Sequence, residues 1–150
     1  MPPSSATPVI PIPFRLHRGT RNPATFVYTS TEVNGLVRMD DDGLVLQYRD
    51  KTQVHGMPPS PPKESEVRTA RIPLGAIRRV ELRGRWFGVR LVLFAGDLNA
   101  FDPFRSWLRR GELALTVPRA ERAAAADLAS SIELALSTRL LNDGGYLPGQ

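Results

Sequence analysis

A long helix can form in only one stretch of this chain, and that stretch comes last. From Ala120 to Leu141 there is no proline or glycine, and alanine, the best helix former, is abundant. Ala124, Leu128, Ile132, Leu136 and Leu140 recur every four residues, with Ala135 on the same face, so the spacing predicts an amphipathic helix. Arg122, Asp127, Ser130, Glu133 and Ser137 lie mostly off that stripe, and Asn142-Asp143-Gly144-Gly145 ends it. Burying Leu128, Ile132 and Leu136 contributes about 1.5–3 kcal/mol each, which places the helix in the core.

The rest of the chain reads as strands. Phe26–Thr29 and Val33–Met39 form one strand with a bend at Gly35, and Leu44–Arg49 forms the next. Between them Asp40-Asp41-Asp42-Gly43 is a strong turn signal, so these strands are expected to form a hairpin. Residues 51–65 carry Pro58, Pro59, Pro61 and Pro62 and are expected to be a long loop. Glu66–Ile72 alternates, with Ala70 and Ile72 on one face, and Pro73-Leu74-Gly75 makes a corner. Ile77, Val80 and Leu82 break strict alternation, which predicts a bulge near Arg78-Arg79. Val89–Phe94 and Glu112–Val117 complete the strands, with Asn99-Ala100-Phe101 as a short additional one ended by Pro103. Three units follow: a proline-rich arm over residues 1–23, a domain over 24–141 and a tail over 142–150. The arm's apolar residues Val9, Ile10, Ile12, Phe14 and Leu16 argue against a purely solvated segment.

Strands joined by hairpins and followed by one helix are not an alternating βα pattern, which argues against a doubly wound sheet or a TIM barrel. The expected class is mainly β (α+β), six to seven antiparallel strands with one C-terminal α-helix covering the open end of the sheet. Leu36–Leu136 carries a resemblance: the Asp40–Gly43 hairpin, Arg71-Ile72-Pro73-Leu74 leading to Ile77, Val80-Glu81-Leu82-Arg83, Trp86-Phe87-Gly88 with Leu91-Val92-Leu93, then Leu113–Arg119 and the alanine-rich helix. This order resembles a bacterial pleckstrin-homology (PH)-like domain of the PH/GRAM superfold, a split barrel plugged by a helix. The resemblance implies binding of a protein or a lipid headgroup, with no catalysis by the fold itself. Some bacterial PH-like proteins assemble into rings, so it also permits self-association.

Composition narrows the function classes. At 150 residues the chain is one ordinary domain, long enough to bury roughly 70% of its unfolded surface. With no cysteine, disulfide scaffolds, thiolate metal sites and cysteine nucleophiles are excluded. No apolar run resembles a signal peptide or membrane span, so the expected location is cytoplasmic, with peripheral membrane contact allowed. The net charge is +5, and all the basic residues except Lys51 and Lys63 are arginine. Arginine captures phosphate and carboxylate in bidentate fashion. Codon bias toward arginine and alanine is the competing explanation, since the arginines are spread along the chain.

Two basic clusters with aromatics stand out as a candidate interaction surface. One is Arg78, Arg79, Arg83, Arg85, Trp86, Phe87 and Arg90; the other is Arg105, Trp107, Arg109 and Arg110. A basic rim around aromatics suits an anionic membrane surface or a nucleic-acid backbone, and arginine and tryptophan also anchor protein interfaces. The alternative is that the aromatics fold inward and the arginines pair with Glu81, Asp97 or Glu112. In phosphoinositide-binding PH domains, basic residues surround the first hairpin loop. Met39–Gly43, taken here as that loop, is acidic, so specific phosphoinositide recognition is not expected; nucleic acid is not among the expected partners either. The aspartates lack the spacing of a calcium loop. His17 and His55 stand apart from each other and from any nucleophile motif, so no catalytic residue, metal or cofactor is assigned. The expected function is a noncatalytic interaction module for a protein partner or for self-association, to which Leu134 and Leu141, off the helix's core stripe, add surface. Peripheral binding to an anionic membrane is the second expectation and a small hydrolase a distant third.

Overall fold

The computed structural model describes residues 10–56, 58, 60–85 and 88–142, with the Arg85 side chain left out. Eight strands form in order: β1 (Ile12–Asn22), β2 (Val27–Met39), β3 (Gly43–His55), β4 (Lys63–Glu64), β5 (Arg68–Pro73), β6 (Ile77–Arg85), β7 (Gly88–Ala95) and β8 (Glu112–Val117). Helix α1 (Arg122–Asn142) follows. All the strand pairings are antiparallel, in the spatial order β4-β3-β2-β1-β8-β7-β6, with β5 also on β3. The sheet does not close, because β5 and β6 are not paired. This is the expected mainly-β class, an antiparallel sheet with one C-terminal helix, and it is compatible with a PH-like arrangement.

One apolar core joins the sheet to the helix. Phe14, Val37, Leu46, Ile72, Leu91, Leu93, Leu113 and Leu115 from the strands meet Ala125, Leu128, Ala129 and Ile132 of α1. Gly35 leaves space for Phe14, its partner in the β1–β2 register; a Cβ there would lie 2.8 Å from the Phe14 ring and 2.4 Å from the Gln47 carbonyl oxygen. The predicted bulge is present, with register shifting between Ile77 and Arg79.

The segment read as an arm contributes a full strand. β1 pairs along its whole length with β2 and buries Ile12, Phe14 and Leu16. Pro13 does not interrupt it, for a specific reason. Gly111 accepts from Ala95 N–H of β7, and Glu112 exchanges backbone bonds with Arg109, so the even residues of β8 face β1. The sole β1–β8 bridge, Arg15↔Thr116, is therefore made by Arg15's own backbone groups, and odd β1 residues face β8. The missing N–H of Pro13 thus points to an edge where no ladder bond is made.

Three further expectations change. β3 continues to His55 and pairs with β4 at Lys51↔Glu64 and Thr52↔Lys63, so part of the expected loop is ladder. Asn99–Phe101 is not a strand: Leu98–Trp107 is a 3₁₀ segment kinked at Phe104, and it buries Phe101 and Phe104. Leu98, Phe101, Phe104 and Trp107 recur every three residues, the 3₁₀ period. On α1 the buried face is Ala125, Leu128, Ala129 and Ile132, whereas Leu140 is 68% exposed. The sheet ends before the helix's last turns, and the small Ala125 and Ala129 allow close approach further back.

The Asp40–Gly43 turn is a hairpin as expected, but it is the second one. The first joins β1 to β2, where Phe26 is 84% exposed and adopts φ 59°. The acidic loop therefore does not occupy the position from which phosphoinositide binding was argued against.

Candidate functional site: a basic groove beside the β1–β8 split

The outer face of β6, β7 and β8 is built in rows across the register. Arg83, Arg90 and Thr116 form one row; Glu81, Val92 and Ala114 the next; Arg79, Phe94 and Glu112 the third. Val92 and Phe94 are buried even on this outer face. Over Phe94 lie the guanidinium carbons of Arg79, Arg83 and Arg78, at 4.0, 5.8 and 5.9 Å from the ring centroid. Arg79 pairs with Glu81 at 2.9 Å, and Arg83 pairs with Glu112 at 3.1 Å and Glu81 at 3.5 Å. Three of the five arginines of the first cluster thus shield an apolar ring, and two of those, Arg79 and Arg83, are also engaged with carboxylates.

Beside this face the sheet parts. β1 and β8 pair only at Arg15↔Thr116, and beyond that bridge a groove of about 470 Å³ opens. Leu16, His17 and Arg18 of β1 form one wall; Glu112, Ala114 and Thr116 of β8 the other. Arg83 and Arg90 reach in from the outer face, and Ser106 and Trp107 close the far end. Arg18 fixes that closure: its Nη1 donates to the Ser106 carbonyl at 2.8 Å, and its guanidinium sits over the Trp107 ring.

Arg109 and Arg110 stand at the mouth because of a tight turn. Arg109 and Glu112 exchange backbone hydrogen bonds of 2.9 and 3.0 Å, with Arg110 at φ 54° and Gly111 at φ 75° between them. Positive φ at both central positions is a turn type that usually holds Asn-Gly. Arginine at the first position carries a backbone cost of order 1–2 kcal/mol.

Among the described residues the groove is therefore lined by five arginines, Arg18, Arg83, Arg90, Arg109 and Arg110, and by one carboxylate residue, Glu112. Among the described residues only Arg83 of the five has a carboxylate partner; Arg18 is held by the Ser106 carbonyl and the Trp107 ring, and Arg90, Arg109 and Arg110 pair with no carboxylate. Members of both sequence clusters meet here: Arg83 and Arg90 from one, Trp107, Arg109 and Arg110 from the other. Arg105 does not join them; it turns to Asp102 at 3.0 Å and Asn99 at 3.1 Å. Arg78 and Arg79 stay over Phe94. Trp86, Phe87 and the Arg85 side chain fall outside the described residues. The sequence reading missed Arg18 and His17, having placed both in the arm; the alternation of Ile12, Phe14 and Leu16 was the available signal for a strand.

Two other features bear on the site's chemistry. Ser30 Oγ lies 3.4 Å from His55 Nε2, and both are solvent-exposed or partly so on the projecting ends of β2 and β3. Among the described residues no group of three His, Asp or Glu side chains converges to hold a metal ion, and no helix is long and apolar enough to cross a membrane. No protein-family model, curated protein or solved structure matches the chain.

Proposed function

We propose that the chain is a noncatalytic interaction module that binds an acidic protein partner through the groove between β1 and β8. The observation that carries this reading is the gathering of five arginines along one groove with Trp107, four of them without a carboxylate partner among the described residues. The planar guanidinium fork presents donors matched to a carboxylate and no acceptor, so this wall suits binding of an acidic group. Arginine and tryptophan are also the side chains that most often anchor protein interfaces. The strand order and terminal helix fit the PH-like arrangement that the sequence resembles, and such domains serve as binding modules.

Poly-L-glutamate provides the test. The wild-type chain binds it at low salt and releases it as the Debye length shrinks. The triple reversal R90E/R109E/R110E abolishes binding while leaving the melting transition in place. Equal binding by the two proteins sinks the reading.

Peripheral binding to an anionic membrane is the second reading, favoured by Phe26. It stands exposed at the tip of the β1–β2 hairpin, on the strand pair that also carries Arg18 and Arg21. Sedimentation with anionic vesicles at low salt, lost in Phe26→Asp, supports it. Self-association has its own surface at the end of α1, where Leu134, Leu140 and Leu141 are exposed. Light scattering across a concentration series tests that separately.

A further inference from the structure

The floor of the groove carries backbone chemistry as well as charge. β8 residues with even numbers turn their N–H and C=O toward β1: Glu112 is satisfied by Arg109, and Thr116 by Arg15. Ala114 lies between them. On β1 the odd residues face β8, and after Arg15 the next is His17. A continued ladder would pair His17 with Ala114, and that pair is not formed. Both residues line the groove. Each edge therefore presents one N–H donor and one C=O acceptor without a backbone partner among the described residues.

From this geometry we infer that the partner's docking segment is an extended acidic peptide, inserted so that its own backbone engages the open edges of β1 and β8. The inference rests on the reading above and sharpens it. A compact anion satisfies N–H donors and guanidiniums but offers nothing to the carbonyls of His17 and Ala114. An extended peptide offers both a donor and an acceptor at every second residue along one edge. Its carboxylates meet Arg90 on the outer face and Arg109 and Arg110 at the mouth. Between the Arg15↔Thr116 bridge and the Ser106–Trp107 closure there is length for about three or four extended residues.

The test uses fluorescence anisotropy with a labelled peptide of alternating valine and glutamate, and the same peptide N-methylated at alternate backbone positions. The charge is identical, and only the hydrogen-bonding edge differs. The expected result is at least a tenfold loss of affinity on methylation, with loss of binding to both peptides in R109A/R110A. A114P removes the N–H facing the groove while leaving the β7-facing ladder untouched, and should weaken the unmethylated peptide by a similar factor. If A114P fails to fold, the methylated pair alone decides. Equal affinity for the two peptides, with both lost in R109A/R110A, overturns the inference and leaves the acidic-partner reading standing. Failure of every acidic peptide, together with failure of poly-L-glutamate, removes both.

Discussion

The Arg18 guanidinium lies 4.3 Å from the centroid of the Trp107 ring, and its Nη1 donates to the neighbouring Ser106 carbonyl at 2.8 Å. One side chain thereby ties the middle of β1 to the end of the 3₁₀ segment, across the place where β1 leaves β8. The contact joins β1 to the 3₁₀ segment at one point and sets Trp107 against β1 in the groove's lining.

Removing that tie should be measurable. Arg18→Ala is expected to lower stability by about 1–2 kcal/mol, combining an exposed cation–π contact with a charged hydrogen bond to a carbonyl. Arg18→Lys should recover less than half of this, because a compact ammonium cannot cover the ring and reach the carbonyl together. Urea denaturation followed by circular dichroism reads both. An Arg18→Ala protein as stable as the wild type would show that the split is held by other contacts.

How much of this was legible beforehand depends on whether the signal was periodic and local. The second hairpin, the bulge near Arg78 and the terminal helix were readable because Asp-Gly turns, broken alternation and an alanine-rich run each act on neighbouring residues. β1 was obscured by counting prolines without knowing which way each nitrogen faced; Pro13 costs nothing only because the β1–β8 ladder is absent there. The 3₁₀ segment was missed because Phe101 and Phe104 carry a period of three that a search for periods of two and 3.6 overlooks. The groove itself was half visible. Arg83, Arg90, Trp107, Arg109 and Arg110 were singled out by composition, but their assembly depends on a pairing that stops after Thr116, and no sequence rule announces that. Arg18, from a segment read as an arm, was invisible for the same reason.

The Arg109–Glu112 turn offers a substitution whose stability and binding effects run in opposite directions. Arg110 holds φ 54°, a conformation that favours glycine or asparagine. Arg110→Gly is expected to raise stability by about 0.5–1 kcal/mol by relieving that backbone cost. It also deletes one of the groove's unpaired cations, so affinity for poly-L-glutamate should fall. A higher melting temperature with weaker binding is the expected pair of results, measured on one preparation. Unchanged binding would place Arg110 outside the contact surface.

The helix separates residues that the four-residue spacing had grouped. Ile132 is fully buried against the sheet, whereas Leu140 is largely exposed beyond its end. Ile132→Ala should cost about 2–5 kcal/mol, through lost transfer energy and the cavity left behind. Leu140→Ala should stay within about 0.5 kcal/mol. Chemical denaturation of the two variants checks the placement of α1, and equal losses would mean that the last turns of the helix pack in solution. Small losses at both positions would mean that the helix does not plug the sheet at all.

Asp40 links the second hairpin to β5 in a way that makes stability depend on pH. Its Oδ1 accepts the backbone N–H of Asp42 at 2.9 Å and of Gly43 at 3.0 Å, and its Oδ2 accepts from Arg71 at 2.7 Å. The Asp42 N–H and then the Arg71 guanidinium favour the charged form, holding the carboxyl below its ordinary value of 3.8. A carboxylate whose folded value is depressed contributes stability above the unfolded value, and that contribution is lost as pH falls through the folded one. Asp40→Asn removes the charge at every pH, so it should melt below the wild type at neutral pH. The gap should begin to close below pH 3.8 and vanish once the wild-type carboxyl is protonated in both states. Arg71→Ala should narrow the pH window of the acid loss from its lower end, because the folded carboxyl keeps the Asp42 and Gly43 N–H groups but not the guanidinium and so titrates closer to the ordinary value. Melting curves of the three proteins on a pH series decide this. A gap between wild type and Asp40→Asn that persists unchanged into strong acid would mean that it comes from the hydrogen bonding of the introduced amide, with the Asp40 charge contributing nothing.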